Sequence, residues 1–262
     1  MNPAFDQARI TREAQGLSLP LGRSAGAAAF NLQGTLQTDS QLTDLELIAT
    51  KFGLVTDITV AGFSLMGSNQ GFLLSAFNPL ALVEGQGREL ALPLAAQQIV
   101  AVSGTMVGAG TIVGGVKSDP VIPEEVIPVN QLPPELQTIG YGLGLVNIGA
   151  GADGTLTATV RRPGKLGRLC LDHDGTIGDI VVRNVRINNV PLLAGLPNTD
   201  CIIEGFSPFA SDGDGNVLAI DVDVNDQITL DFHNYSAGAL NVGGGIFALF
   251  EPADVIIDGG LE

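Results

Sequence analysis

The 262-residue sequence is poor in cations, aromatic residues, histidine and cysteine. Only 12 Lys and Arg stand against 28 Asp and Glu, and no cation follows Arg186. Contact with nucleic-acid phosphates requires positive charge, so we expect no direct nucleic-acid binding by the acidic body of the protein. With no Trp and two Tyr, the chain also lacks the aromatic platforms on which β-sandwiches commonly hold carbohydrates.

Export signals, long apolar runs and a disulfide framework are scarce as well. The N-terminus lacks the basic and apolar regions of a secretory signal, and no stretch approaches the roughly 20 apolar residues that span a bilayer. We therefore expect synthesis in the cytoplasm. Cys170 and Cys201 lie in apolar runs, which predicts buried free thiols, with a disulfide between them as the alternative.

Glycine, proline and apolar residues are abundant. The 35 Gly, 14 Pro and 45% hydrophobic residues favour many short strands and turns. Residues 1–33 look like a separate N-terminal arm that includes a short helix over 3–15, and residues 253–262 form an acidic tail. Residues 117–140 are predicted to be a semi-rigid linker because five prolines fall within them: Pro120, Pro123, Pro128, Pro133 and Pro134.

The same series of short motifs occurs on both sides of this linker, with an offset of about 120 to 130 residues. The matching segments are 34–36 and 154–156, 42–47 and 166–171, 57–65 and 179–187, 76–81 and 205–210, 98–99 and 227–228, and 110–116 and 241–247. The fold class is thus predicted as all-β, with two tandem antiparallel sandwiches or jelly rolls over 34–116 and 141–252 related by internal duplication. The first copy is short for eight strands, so a smaller sandwich stays open.

Strand periodicity is clearest at residues 218–232. Leu218, Ile220, Val222 and Val224 alternate with acidic residues, which places one face in the core and the other in water. The three glycines at 243–245 lie inside another apolar strand pattern. They predict a bulge or a close approach of two backbones.

The sharpest chemical motif is the segment LCLDHDGTI at 169–177. It resembles the nucleophile motif of haloacid-dehalogenase phosphatases, which implies that Asp172 attacks phosphorus and Asp174 acts as acid and base beside Mg²⁺. That chemistry also needs a downstream lysine, and none follows Lys165. We therefore interpret residues 172–175 as a hairpin turn and predict that the protein is not an enzyme.

A second motif, DGDGN at 212–216, suggests a calcium loop. Asp212, Asp214 and Asp223 are weak metal candidates, but Val217 occupies the position where an EF-hand needs glycine, so an EF-hand is excluded. A looser Ca²⁺ site at a subunit interface and a solvated loop are the two interpretations. His173 and His233 lack ligand partners at metal-binding spacing apart from the turn aspartates, and we expect no cofactor.

The repeated sandwiches at 34–250, the arm and the linker together resemble the double jelly-roll coat proteins of tailless, membrane-containing bacteriophages. This resemblance implies a capsid subunit in the virion that is made in the host cytoplasm and self-assembles as a pseudo-hexameric homotrimer into an icosahedral shell. It also implies other virion proteins and an underlying membrane as partners. The alternative is a non-catalytic surface module for binding or adhesion.

Overall fold

A computed structural model describes residues 19–81, 89–120, 137–193, 200–210 and 217–249, with backbone only at 89–93 and 119–120. Within these ranges the chain forms β-strands and single turns of 3-10 helix, which confirms the predicted all-β class. No helix among these residues is long and apolar enough to cross a bilayer. The predicted helix at 3–15 and the acidic tail lie outside the described residues.

The second half of the protein, residues 137–249, is an eight-stranded jelly roll. Its strands are β8 (Gly140–Ile148), β9 (Asp153–Thr159), β10 (Gly164–His173), β11 (Ile180–Ile187), β12 (Val190–Pro191), β13 (Cys201–Ile202), β14 (Val217–Val222), β15 (Gln227–Asn234) and β16 (Leu240–Ala248), with a 3-10 turn at Ile203–Phe206. The two sheets have the strand orders β8-β16-β10-β14 and β9-β15-β11-β12, and β13 also pairs with β11. With β12 and β13 counted together as the fifth strand, these orders are 1-8-3-6 and 2-7-4-5, those of a jelly roll.

The first half, residues 19–120, repeats this topology with fewer and longer strands. Its strands are β1 (Leu19–Thr35), β2 (Ser40–Ala49), β3 (Gly53–Val60), β4 (Phe63–Ser64), β5 (Phe72–Leu73), β6 (Glu89–Leu94) and β7 (Ile99–Pro120), with a 3-10 turn at Leu74–Phe77. β1 takes the places of β8 and β9, and β7 those of β15 and β16. Because β1 and β7 run through both layers, this half forms one continuous seven-stranded sheet.

Shared irregularities make the two halves comparable residue by residue. β2 and β10 both shift register after their first leucine, between Leu42 and Asp44 where β2 pairs with β6, and between Leu166 and Arg168 where β10 pairs with β14. The left-handed residue Gln97 has its counterpart in Asn225. The predicted duplication stays a prediction, which this common topology supports.

The strand register agrees with two of the sequence matches, 42–47 with 166–171 and 76–81 with 205–210. Other matches are wrong in detail: Leu36 corresponds to Val160, because each exchanges backbone hydrogen bonds with the turn at 97–98 or 225–226. Asp57 likewise corresponds to Asn184, since each follows the bulge in its strand. These two matches are displaced by four and five residues, so short motifs do not fix the register of a strand.

The predicted boundaries differ from the observed ones. Residues 19–33, assigned to the arm, form most of β1 and so belong to the first sandwich. The centre of this strand carries small, exposed residues and shows no alternation of apolar and polar positions. β7 continues to Pro120, and 137–140 already belongs to the second half, which leaves 121–136 of the predicted linker outside the described residues.

The predicted periodicity at 218–232 covers two strands, β14 and β15, that belong to different sheets. The chain turns at Asn225, which adopts a φ of 76°. Val222 is buried as predicted, whereas Val224 lies in the turn and is exposed. The alternation therefore located the strands but not the corner between them.

The two jelly rolls lie side by side with like ends aligned. At one end, the Arg162 guanidinium of the second half stacks over the Phe63 ring of the first, 4.4 Å from its centroid. At the other end, Ser75 of the first half meets Asp172 of the second. The start of β1 pairs with the last part of β7, and the start of β8 with the end of β16, so all four strand ends lie at the Arg162 end.

Candidate assembly interface

The outer face of the second half's β8-β16 sheet is lined with glycines, which we call the glycine face: Gly140, Gly142, Gly243 and Gly245. A Cβ atom at Gly245 would lie 2.5 Å from the Phe72 ring, and one at Gly142 would lie 2.3 Å from the carbonyl oxygen of Gly71. The first half therefore packs directly on this backbone. The bulge predicted for 243–245 is confirmed and falls between Gly244 and Gly245, whereas the close contacts made there by the first half come from the side chains of Phe72 and Leu73 and not from a second backbone.

Residues 65–77 of the first half form the segment that covers the glycine face, and we call them the docking segment. Its backbone is bonded to the start of β8: Gly67 N donates to the Gly140 carbonyl at 2.8 Å, and Gly144 N donates to the Gly71 carbonyl at 2.9 Å. The buried Ser68 hydroxyl also donates to the Gly142 carbonyl at 2.6 Å. The two halves are thus joined by backbone pairing as well as by side chains.

Three phenylalanines fill the centre of this interface. The Phe72 ring lies 4.7 Å from the Phe247 ring and 5.2 Å from the Phe77 ring, measured between centroids, and all three side chains are fully buried. Phe247 points away from the core of its own half and belongs to the hydrophobic core of the first. Cys170 does the same, and burial raises the pKa of its thiol to about 12.

Asp172 lies at the opposite edge of the interface from the Arg162–Phe63 contact. The Ser75 hydroxyl donates to Asp172 Oδ2 at 2.7 Å, and the His173 amide donates to Oδ1 at 2.9 Å. Loss of hydration raises the pKa of this carboxyl above its ordinary value, and the two hydrogen bonds oppose that shift. Asp172 is therefore a carboxyl group held between the two sandwiches.

The predicted hairpin at 172–175 is wrong, because β10 and β11 belong to different sheets and the segment crosses between them. Its side chains bind neighbouring strands. Asp174 accepts hydrogen bonds from the amide and the side chain of Asn241 at 2.7 and 2.6 Å, and His173 Nε2 lies 3.3 Å from Glu204 Oε1. The polar groups of the phosphatase-like motif thus make structural contacts.

A cleft of about 290 Å³ opens beside Asp172, where the two halves meet. Lys51, Phe52 and Asn78 line it from the first half, and Asp174 and Phe209 from the second. The cleft lies at the end of the molecule that carries the long connections between β5 and β6 and between β13 and β14. Both sandwiches therefore contribute to its walls.

The counterparts of these interface elements face outward. In the second half, residues 200–206 correspond to part of the docking segment and are named the second docking segment; Ile202 takes the place of Leu73 and is 63% exposed, whereas Leu73 is fully buried. In the first half, the outer face of β1, β2 and β7 corresponds to the glycine face and is named the side-chain face. There Val113 takes the place of Gly243 and Ile48 that of Asp172, and they are 46% and 54% exposed.

Of the three predicted metal candidates, Asp223 alone falls within the described residues, so the site stays a prediction. Asp212 and Asp214 lie outside them. Asp223 lies in the exposed turn before β15, where its amide donates to Asp226 Oδ2 at 2.8 Å. No group of three or more His, Cys, Asp and Glu side chains in the described ranges is arranged to hold a metal ion.

Both cysteines are free thiols, as the sequence predicted. Cys170 is buried, whereas Cys201 is only partly so because it lies at the surface of the second docking segment. The residues that join the two halves, chiefly the docking segment and Phe247, were not predicted from the sequence. One signal was present: glycines at alternate positions 140, 142 and 144 of a strand indicate a face on which another backbone packs.

No protein-family model and no curated protein matches the sequence. Among solved structures, the chain is similar to the major capsid protein P2 of Bacteriophage PM2, with 10% identity, a TM-score of 0.34 and coverage of 90% of this chain and 98% of that one. It is also similar to the ANX2 ectodomain of Arabidopsis thaliana, with 12% identity, a TM-score of 0.23 and coverage of 88% and 83%. Likenesses at these TM-scores assign neither a family nor an activity.

Proposed function

We propose that this protein is a viral structural protein, a capsid subunit that assembles with copies of itself into an icosahedral shell. The observation that carries the proposal is the pair of jelly rolls, fixed side by side with like ends aligned, whose joining surfaces recur as exposed surfaces on the opposite halves. Such a chain presents two similar edges to its neighbours. It is suited to tiling a surface by repeated contacts between subunits.

The assembled unit that best fits this shape is a homotrimer. Three chains supply six similar sandwiches. A ring of three chains therefore has an outline with nearly sixfold symmetry, which packs densely in a shell. The interface between the two halves is already closed within each chain. Only the contact from the second half of one chain to the first half of the next remains to be made.

Charge distribution supports partners other than nucleic acid. The formal net charge is −16, and the second half has no cation after Arg186, so contact with packaged nucleic acid falls to other virion proteins or to an underlying membrane. We propose synthesis in the host cytoplasm followed by incorporation into the virion. The role is non-enzymatic, since the carboxyl groups of the phosphatase-like motif serve to join strands and halves.

The mass and outline of the purified protein test this proposal. Light scattering at increasing concentration, with electron microscopy of the same samples, should show trimers with a six-lobed outline or larger shells. The measurements are repeated across salt concentration and with and without Ca²⁺, because acidic subunits repel one another less when screened. A protein that stays monomeric at the highest concentration under all these conditions contradicts the proposal.

A further inference from the structure

We propose that the second docking segment of one chain binds the side-chain face of a second copy, in the way that the docking segment covers the glycine face within each chain. This inference rests on the proposed assembly function and names the surfaces that perform it. The occupant is a second copy because the matching surface for each exposed element is present on the same chain. A contact that joins unlike surfaces head to tail forms a ring when it closes.

The central pair follows from residue equivalence. Within the chain, Leu73 of the docking segment packs against Gly243, where a Cβ atom would lie 3.2 Å from Leu73 Cδ1. Ile202 stands at the position of Leu73, and Val113 at that of Gly243. Ile202 and Val113 are both apolar and about half exposed or more. Because their counterparts Leu73 and Gly243 are in direct contact, we expect Ile202 of one chain to contact Val113 of the next.

Leu80 provides a further apolar match. It corresponds to Phe209, the residue of the second half that lines the cleft between the two halves, and it is 77% exposed. Leu80 and Phe209 each follow a proline in equivalent turns. In each turn the backbone amide of this residue donates a hydrogen bond to the side chain of the residue two positions earlier. In the proposed contact, Leu80 lines the equivalent cleft between two chains.

Charged groups lie beside the apolar pair on both surfaces. Asp200 of the second docking segment is already paired with Arg183 of its own chain, and Lys117 of the side-chain face with Glu46 at 2.7 Å. The exposed Arg23 is the direct cross-strand neighbour of Val113. The proposed contact therefore rests on the apolar side chains, with Arg23 as the basic group beside them.

The contact between chains differs in kind from the one within the chain. Within the chain, Gly142 lies against the backbone of Gly71, and Gly243 receives the side chain of Leu73. On the side-chain face, Pro20 and Val113 stand at the positions of Gly142 and Gly243 and prevent so close an approach. Side chains rather than backbone hydrogen bonds therefore make the proposed contact. It is the weaker of the two and the one that forms last.

Charge substitutions at the apolar pair test the proposal. Ile202→Asp and Val113→Asp should each weaken association at least about tenfold by light scattering or sedimentation, because a buried unpaired carboxylate opposes contact. Val224→Asp is the matched control, since Val224 is 50% exposed in a turn away from both surfaces, and it should assemble normally. Circular dichroism and urea unfolding of each monomer check that these exposed positions leave the fold intact.

Cross-linking gives a second measurement that does not depend on loss of assembly. In a Cys201→Ser background, chains carrying Ile202→Cys are mixed with chains carrying Val113→Cys and treated with a short bifunctional maleimide. Covalent dimers should appear only in the mixture, and a chain with both cysteines should give linked trimers.

The outcomes separate the two proposals. Wild-type oligomers together with unaffected aspartate variants and no cross-link overturn the assigned surfaces and leave the capsid function standing. A wild-type protein that never associates overturns both.

Discussion

The two halves of the chain share one topology and differ in what they present outward. Equivalent buried positions carry leucines in both β2 and β10, while equivalent outer positions carry glycine, phenylalanine or cysteine in the second half and valine, lysine or glutamate in the first. The core pattern fixes the jelly roll. The size of the outward side chains decides whether a neighbouring sandwich packs on that face, so one topology supplies two different contacts.

Their corners differ as well. In the first half, β1 and β7 bend from one layer to the other without a break, and Gly26 and Gly108 adopt left-handed conformations at these bends. In the second half the corresponding strands are interrupted by turns at 149–152 and 235–239. There the buried Asn234 side chain donates to the carbonyls of Ile148, Gly149 and Gly238. We call these three hydrogen bonds from Asn234 the corner clamp. They hold the corner in the second half, whereas continuous strands form the corner in the first.

The largest expected effect concerns Phe247 and its counterpart Lys117. Phe247→Ala removes a fully buried ring from the interface and should lower the free energy of unfolding by about 4 kcal/mol. Lys117→Ala removes a half-exposed ion pair and should cost less than about 1 kcal/mol. Urea unfolding of both monomeric variants measures the difference. Equal losses would mean that the two outer faces are alike.

Substitution of equivalent glycines sharpens the same contrast. A Cβ atom at Gly245 would overlap the Phe72 ring, whereas the nearest atom to one at Gly115 is the Leu19 carbonyl oxygen at 3.6 Å. Gly245→Val should therefore destabilise the monomer by about 3 kcal/mol through overpacking, and Gly115→Val by less than about 1 kcal/mol. Thermal or urea unfolding tests this pair, and a large loss for Gly115→Val contradicts it.

The corner clamp gives the third prediction. Asn234→Ala leaves the carbonyls of two turns without their donor and should reduce the free energy of unfolding by about 2 kcal/mol. Asn147→Ala is the control, because its side chain makes one exposed hydrogen bond, to Asn241. Hydrogen exchange should show faster opening at 149–152 and 235–239 in Asn234→Ala alone. Unchanged exchange at these turns would exclude the clamp.

The smallest effect is the pH dependence at Asp172, whose counterpart Ile48 cannot titrate. The pKa of Asp172 is raised in the folded state, so its contribution to stability is fully present below the pKa of an unfolded Asp and is lost as pH rises through the folded-state value. Relative to Asp172→Asn, the wild type should thus lose stability as the pH rises above about 4, the ordinary pKa of an Asp. Unfolding curves recorded as a function of pH measure this loss, with Asp223→Asn as control, because Asp223 is exposed in a turn far from the interface.

The fold class was predictable because alternation of apolar and polar residues is a local property of the sequence. β1 was missed because its central residues are small and exposed, and because its partner β7 lies far along the chain. Corners escaped prediction for a related reason: alternation continues through the turn at Asn225 although the chain changes sheets there.

The interface was harder to predict than the strands. Cys170 and Phe247 read as core residues of their own strands, and only the structure shows that they point toward the other half. An apolar residue in the sequence does not show whether it is buried in the interior of its own sandwich or against a second sandwich. Glycines at alternate positions of a strand are different, because they indicate a face against which another part of the protein packs.

The alignment of like ends makes any layer of upright, parallel copies directional. One surface of such a layer gathers the four strand ends at Leu19, Pro120, Gly140 and Ala248, and the other gathers the long connections around Lys51 and Phe209. Peptides inserted between Ser236 and Gly238 would be displayed on the second surface and tags fused near the strand ends on the first. The two sides of the layer can therefore be modified independently.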